Sequence, residues 1–150
     1  MDDLRELYQE MILDHYKKPR NFRVLEGGNR RAAGYNPLCG DKVTVYALVS
    51  GDVIEDISFE GSGCAICTAS TSVMTETVKG MTTGEAEALF GKFRDLVTGV
   101  LDTTGQMESL GKLAIFAGVR EYPIRVKCAT LPWHTFQAAL ADTSETVTTE

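Results

Sequence analysis

Apolar side chains at Leu4, Leu7, Tyr8, Met11 and Ile12 recur at i, i+3, i+4, i+7 and i+8, the stripe of a helix with one face on a core. Asp2 and Asp3 lie where a cap and the helix dipole favour carboxylates, and Pro19 ends the helix. Residues 20–41 lose this period and are rich in glycine and arginine, which predicts a long loop with one short strand. The period then changes to two. Lys42–Val49 alternates and is rich in β-branched residues, Ser50-Gly51-Asp52 signals a turn, and Val53–Glu60 reads as the return strand of a hairpin. Helical spacing resumes over Cys64–Val78, with Gly80 placed as a C-cap, and continues at Thr83–Val97, Glu108–Val119 and Leu131–Ala141. Strands first and helices after define a small α+β fold. The last segment, TSETVTTE, has little to bury, so we expect one domain over 1–141 and a disordered tail over 142–150.

Composition narrows the function classes. The chain of 150 residues is 43% apolar, enough for a core without a structural disulfide. Its net charge of −6 argues against a broad nucleic-acid surface. No apolar run approaches the roughly 20 residues needed to span a bilayer, and the acidic MDDLRELYQE start lacks the apolar core of a signal peptide. The expectation is a cytoplasmic protein with no membrane and no nucleic-acid partner. There, cysteines are more often ligands or catalysts than disulfides.

The candidate chemistry lies in Cys39, Cys64, Cys67 and Cys128. Cys39 precedes the first hairpin strand and Cys64 follows the second, so the antiparallel return brings them to one end. Gly40 would let Cys39 and Asp41 lean toward one point. Gly61-Ser62-Gly63 clears bulk around Cys64, and a helix start there lowers a thiol's pKa. Three thiolates and a nearby carboxylate suit a four-coordinate zinc or an iron–sulfur species. On spacing alone, Cys128 could also be a small buried hydrophobe, the lesser of its two readings. Cys64 and Cys67 form a C-x-x-C that could act as a dithiol redox pair, although no βαβ pattern surrounds it. Cys67 falls one turn past Cys64, either as a fourth thiolate or as a helix residue packing beneath the site. His15 reads as exposed or half-buried on the first helix, and His134 as a surface or packing residue.

Three segments, Tyr35-Asn36-Pro37-Leu38-Cys39-Gly40-Asp41, Gly61-Ser62-Gly63-Cys64-Ala65-Ile66 and Lys127-Cys128-Ala129-Thr130-Leu131, resemble the IscU/NifU N-terminal family of iron–sulfur cluster assembly proteins. The resemblance runs from the LYQEMILDHYKKPRNF stretch to about residue 140. Within the family the chain looks more like the SufU branch. Lys127 stands where IscU proteins carry a histidine, and the segment around 83–107 resembles the SufU insertion. The Leu-Pro-Pro-Val-Lys chaperone motif of IscU is replaced by Tyr122-Pro123-Ile124-Arg125-Val126.

The resemblance implies a three-stranded antiparallel sheet with helices packed on one face. It implies a metal site of Cys39, Asp41, Cys64 and Cys128 holding Zn2+, or an iron–sulfur cluster on the same ligands. It implies a zinc-dependent sulfurtransferase in which a SufS-type cysteine desulfurase passes persulfide sulfur to Cys39. Downstream iron–sulfur assembly or acceptor proteins would then receive the sulfur. The alternatives are a scaffold on which a cluster is built and handed on, and, from a different class, the C-x-x-C dithiol oxidoreductase.

Overall fold

The computed structural model describes residues 2–99, 110–141 and 147–148. Helix α1 spans Asp2–Lys17, and its buried stripe runs through Tyr8, Met11, Ile12 and His15, while Leu7 is exposed. The sequence reading placed His15 at or near the surface. It is instead 2% exposed, with Nδ1 2.7 Å from Ser72 Oγ and Nε2 3.6 Å from Glu76 Oε1.

Strand β1 (Arg30–Asn36) turns tightly into β2 (Asp41–Ser50), and β2 into β3 (Val53–Ser62). Both pairings are antiparallel, with Asn36 opposite Asp41 and Lys42 opposite Ser62. The strand expected within 20–41 is therefore a full partner of β2, which makes the sheet three-stranded. Gly51 takes φ +64° in the second turn, a left-handed conformation that favours glycine. A two-residue strand β4 (Val147–Thr148) pairs parallel with Gly34 and Tyr35. These two residues fall in the segment expected to be a disordered tail; its other residues lie outside the described ones.

Helices cover one face of the sheet. Helix α2 (Ala65–Val78) packs on α1 and β3, and α3 (Thr83–Thr98) on the segment that follows it. Thr82 and Glu85 close α3 with a reciprocal capping box, and Gly99 at φ 81° ends it. Part of the SufU-like insertion, residues 100–107, and the expected helix start at Glu108 lie outside the described residues. Gly111–Glu121 is a 3₁₀ helix rather than an α-helix. Leu110, Leu113, Phe116 and Val119 are buried at every third position, the 3₁₀ period, with Ala114 and Ile115 buried between them.

The last helix, α4 (Pro123–Leu140), begins eight residues before the expected Leu131. Pro123 supplies the start at N1, and Pro132 lies inside α4. Cys128 is thus inside the helix and not ahead of it. Helix α4 presses onto β1 so closely that a Cβ at Gly34 would strike Thr135 Oγ1 and Leu131. Between the helices, Trp133 stacks on Phe90 and Phe93, with Phe93 edge-on to Phe116. No helix among the described residues is long and apolar enough to cross a membrane.

Candidate metal centre

Two turns and two helix starts meet at one end of the sheet. Asn36 closes β1 and faces Asp41 across the ladder, and both side chains are fully buried. Asn36 Oδ1 accepts the Leu38 N–H (3.2 Å) and its carbonyl accepts the Cys39 N–H (3.3 Å). Asn36 Nδ2 donates to Cys128 Sγ at 3.6 Å. One amide side chain therefore fixes the turn that carries Cys39 and also touches the thiol arriving from α4. Gly40, at φ +71°, completes the turn.

Asp41 is held from the other side. Its Oδ1 accepts the Cys64 N–H at 2.8 Å, and its Oδ2 lies 3.7 Å from Cys64 Sγ. Cys64 is the N-cap of α2, and its sulfur accepts the Cys67 N–H at 3.4 Å. The neighbouring Cys128 thiol pulls the Cys64 thiol down to about 6. Burial opposes this shift, and the backbone N–H groups of Cys67 and Ile66 add to it. The sequence reading credited the helix start; the neighbouring thiol contributes more.

Cys128 is buried in the second turn of α4. Its sulfur lies 3.2 Å from Cys39 Sγ and 3.7 Å from the Ile124 carbonyl. The neighbouring Cys64, burial, and then Cys39 and Asp41 all push its thiol upward. Ser70 Oγ, on α2, donates to the Ala129 carbonyl at 2.6 Å, which locks the helix carrying Cys128 to the one capped by Cys64.

Ligand atoms of Cys39, Asp41 and Cys128 lie within 4.8 Å of one another. Cys64 adjoins this trio through Asp41 Oδ2 and Cys128. Ligands sharing one tetrahedral zinc ion lie roughly 3.5–3.8 Å apart, so contacts of 3.2 and 3.7 Å need only small adjustments. A buried carboxylate among soft thiols is also a donor set that calls for a compensating cation. Cys39, Asp41 and Cys128 fit a zinc ion by both tests, and Cys64 stands beside them, outside the group whose ligand atoms all lie within 4.8 Å.

Cys67 lies below this cluster. It is buried, its thiol is pushed well up by burial first and then by Asp41 and Cys64, and it is not part of the close trio. This is the helix-packing alternative. His134 meets the edge of Phe90 at 5.0 Å and has no contact with the cysteines in the structure.

Two residues of the site were not legible as functional. Asn36 has no chemical signature beyond an Asn-Pro turn. Arg125 precedes Cys128 by three positions, so it shares a helix face with it. Its guanidinium is held in the charged form by Cys64 first and then by Cys128. Leu38, Cys39, Glu121, Tyr122, Ile124 and Arg125 line an open cavity of about 590 Å³ beside the cluster. Its apolar rim is unusually exposed: Leu38 64%, Tyr122 59% and Ile124 62%.

Fold and sequence together define a known class of protein. The sequence profile of the NifU-like N terminal domain matches residues 7–129, and the chain belongs to that family. Among its relatives is the zinc-dependent sulfurtransferase SufU of Bacillus subtilis, 37% identical over 93% of this chain and 92% of that protein. The iron–sulfur cluster assembly scaffold protein IscU of Streptococcus pyogenes is 39% identical over 93% and 86%. A solved structure of a candidate SUF-system scaffold from Fervidobacterium islandicum is 40% identical, with a TM-score of 0.80 over 87% of this chain and 94% of that one.

Proposed function

We propose that this chain acts in iron–sulfur cluster assembly as a zinc-dependent sulfur carrier, with Cys39, Asp41, Cys64 and Cys128 as metal ligands and Cys39 as acceptor of persulfide sulfur. The observation that carries this reading is the convergence of Cys39, Asp41 and Cys128 within 4.8 Å, with Cys64 against them. The likeness to SufU supports zinc and sulfur transfer over other uses of such a site.

The four ligands play different parts. Asp41 is clamped by the Cys64 N–H, and Cys64 and Cys128 belong to helices, so these three form the fixed side. Cys39 stands in a turn beside Gly40, where a Cβ would meet no heavy atom within 4 Å, and is the ligand free to swing outward. Zinc bound here would supply charge that keeps the thiols deprotonated near neutral pH. Leu38, Tyr122 and Ile124 form an apolar collar that a cysteine desulfurase would cover and dry. Arg125 offers a cation to the anionic sulfur that arrives or leaves. The acceptor thiolate attacks the outer sulfur of the donor persulfide, and the donor cysteine departs as a thiolate.

The test is sulfide release by a desulfurase in the presence of a reductant. Cys39→Ser should abolish stimulation of turnover, and Cys67→Ser should keep most of it. Full stimulation by Cys39→Ser would reject the acceptor role. The scaffold reading is kept alive by the IscU relative, which is as similar as SufU. Iron and acid-labile sulfide in place of zinc after purification would favour it.

A further inference from the structure

We infer that Cys128 is a resolving thiol: it can discharge a persulfide on Cys39 as sulfide, leaving a Cys39–Cys128 disulfide. The inference rests on the reading that Cys39 accepts sulfane sulfur, and assigns the next step to a second residue of this chain.

The geometry carries it. Cys128 Sγ lies 3.2 Å from Cys39 Sγ, closer than the roughly 3.5–4.0 Å of an ordinary carbon contact. A persulfide keeps its inner sulfur at the Cys39 position, next to Cys128. Its outer sulfur has the cavity of about 590 Å³ to occupy, open to Arg125. Cys128 is anchored within α4, hydrogen-bonded to Asn36 and Ile124. Cys39 rides on the Gly40 turn with open space beside it. Closing to the S–S bond length of about 2.05 Å therefore moves the turn and leaves the helix in place.

The step balances without an outside reagent. Cys128 Sγ attacks the inner sulfur of the Cys39 persulfide. The Cys39–Cys128 bond forms, the bond to the outer sulfur breaks, and that sulfur departs with the Cys128 proton as hydrogen sulfide. The sulfane sulfur gains two electrons, and each cysteine sulfur gives up one. The bridge must then be opened by a dithiol through thiol–disulfide exchange. This places the site immediately ahead of a dithiol-reductase reaction. A metal ion on the same thiols occupies the Cys128 lone pair, so the loaded protein keeps its sulfur in transferable form.

The experiment treats the full chain, stripped of metal and freed of small thiols, with one equivalent of glutathione persulfide. Sulfide is measured, and cysteine-containing peptides are mapped by mass spectrometry without reduction. The expected result is one sulfide per chain and a bridge joining the Cys39 and Cys128 peptides. Cys128→Ser, and Cys128→Ala in case the serine variant folds poorly, should retain one extra sulfur on Cys39 and lose sulfide release. Zinc-loaded parent should behave like these variants, and Cys67→Ser, outside the close group, should still form the bridge. A bridge from Cys39 to Cys64 or Cys67, or undiminished sulfide from Cys128→Ser, would overturn the resolving role while leaving Cys39 as acceptor. Failure of every protein to gain sulfur on Cys39 would overturn the acceptor reading, and the resolving role with it.

Discussion

Gly63→Ala tests whether the clamp on Asp41 holds the site together. A Cβ at Gly63 would stand 3.1 Å from Asp41 Cα and Cγ and closer still to Oδ1. The obstruction is a buried carboxylate on a strand, with no flexible chain end to give way. The carboxylate must turn, and it then loses the 2.8 Å hydrogen bond from the Cys64 N–H. Overpacking costs about 1–3 kcal/mol, and a hydrogen bond to a charged group contributes about 1.5–3 kcal/mol. The two effects share one cause and are not additive, so the expected loss is about 3 kcal/mol. For a chain of 150 residues that lowers Tm by roughly 6–12 °C. Gly118→Ala is the control, because nothing lies within 4 Å of its Cβ position. Denaturant and thermal unfolding, with zinc affinity from competition with a chelating dye, read both variants. Gly63→Ala within about 0.5 kcal/mol of the parent, with unchanged zinc affinity, would refute the clamp.

Three further outcomes follow from the same structure. Asp41→Ala should bind zinc more weakly than the parent, because water can occupy the oxygen position but carries no charge; equal affinity at equal pH would exclude Asp41 as a ligand. Zinc removal should lower Tm by many degrees, since metal affinity becomes folding free energy when the unfolded chain has no site; an unchanged melting curve after verified removal would reject this. His15 has its pKa lowered by burial and then by Arg20. The unfolded chain therefore binds the proton more readily, and stability is full above about pH 6.5 and falls as pH drops toward the lower folded value, by at most about 1.4 kcal/mol per unit. His15→Gln should flatten that slope between pH 7 and 5 in urea titrations, and an identical slope would show that His15 does not titrate there.

The hairpin argument sent Cys39 and Cys64 to one end of the sheet, where Cys64 meets Asp41, because an antiparallel return is fixed by strand pairing alone. Cys128 could be attached only through resemblance. Its position depends on α4, whose first two turns lie ahead of the Leu131 start read from the sequence. Periodicity misjudged Gly111–Glu121 because a three-residue spacing also satisfies half of a helical stripe. Asn36 and Arg125 were missed for a different reason: their roles exist only once distant elements meet. His15 was taken for a surface residue since its partners, Ser72 and Glu76, come from α2.

The span between Cys39 and Cys128 is 89 residues. Closing a loop of that length costs entropy that only the packed sheet and helices repay. A chain made from its N-terminus exposes Cys39 and Cys64 well before Cys128 exists. Until α4 docks, the early thiols are ordinary cysteines with no ion to share and no partner to resolve them. Chemical competence is therefore withheld from truncated or half-folded molecules. Docking of α4 and closure of the thiol cluster become the same event.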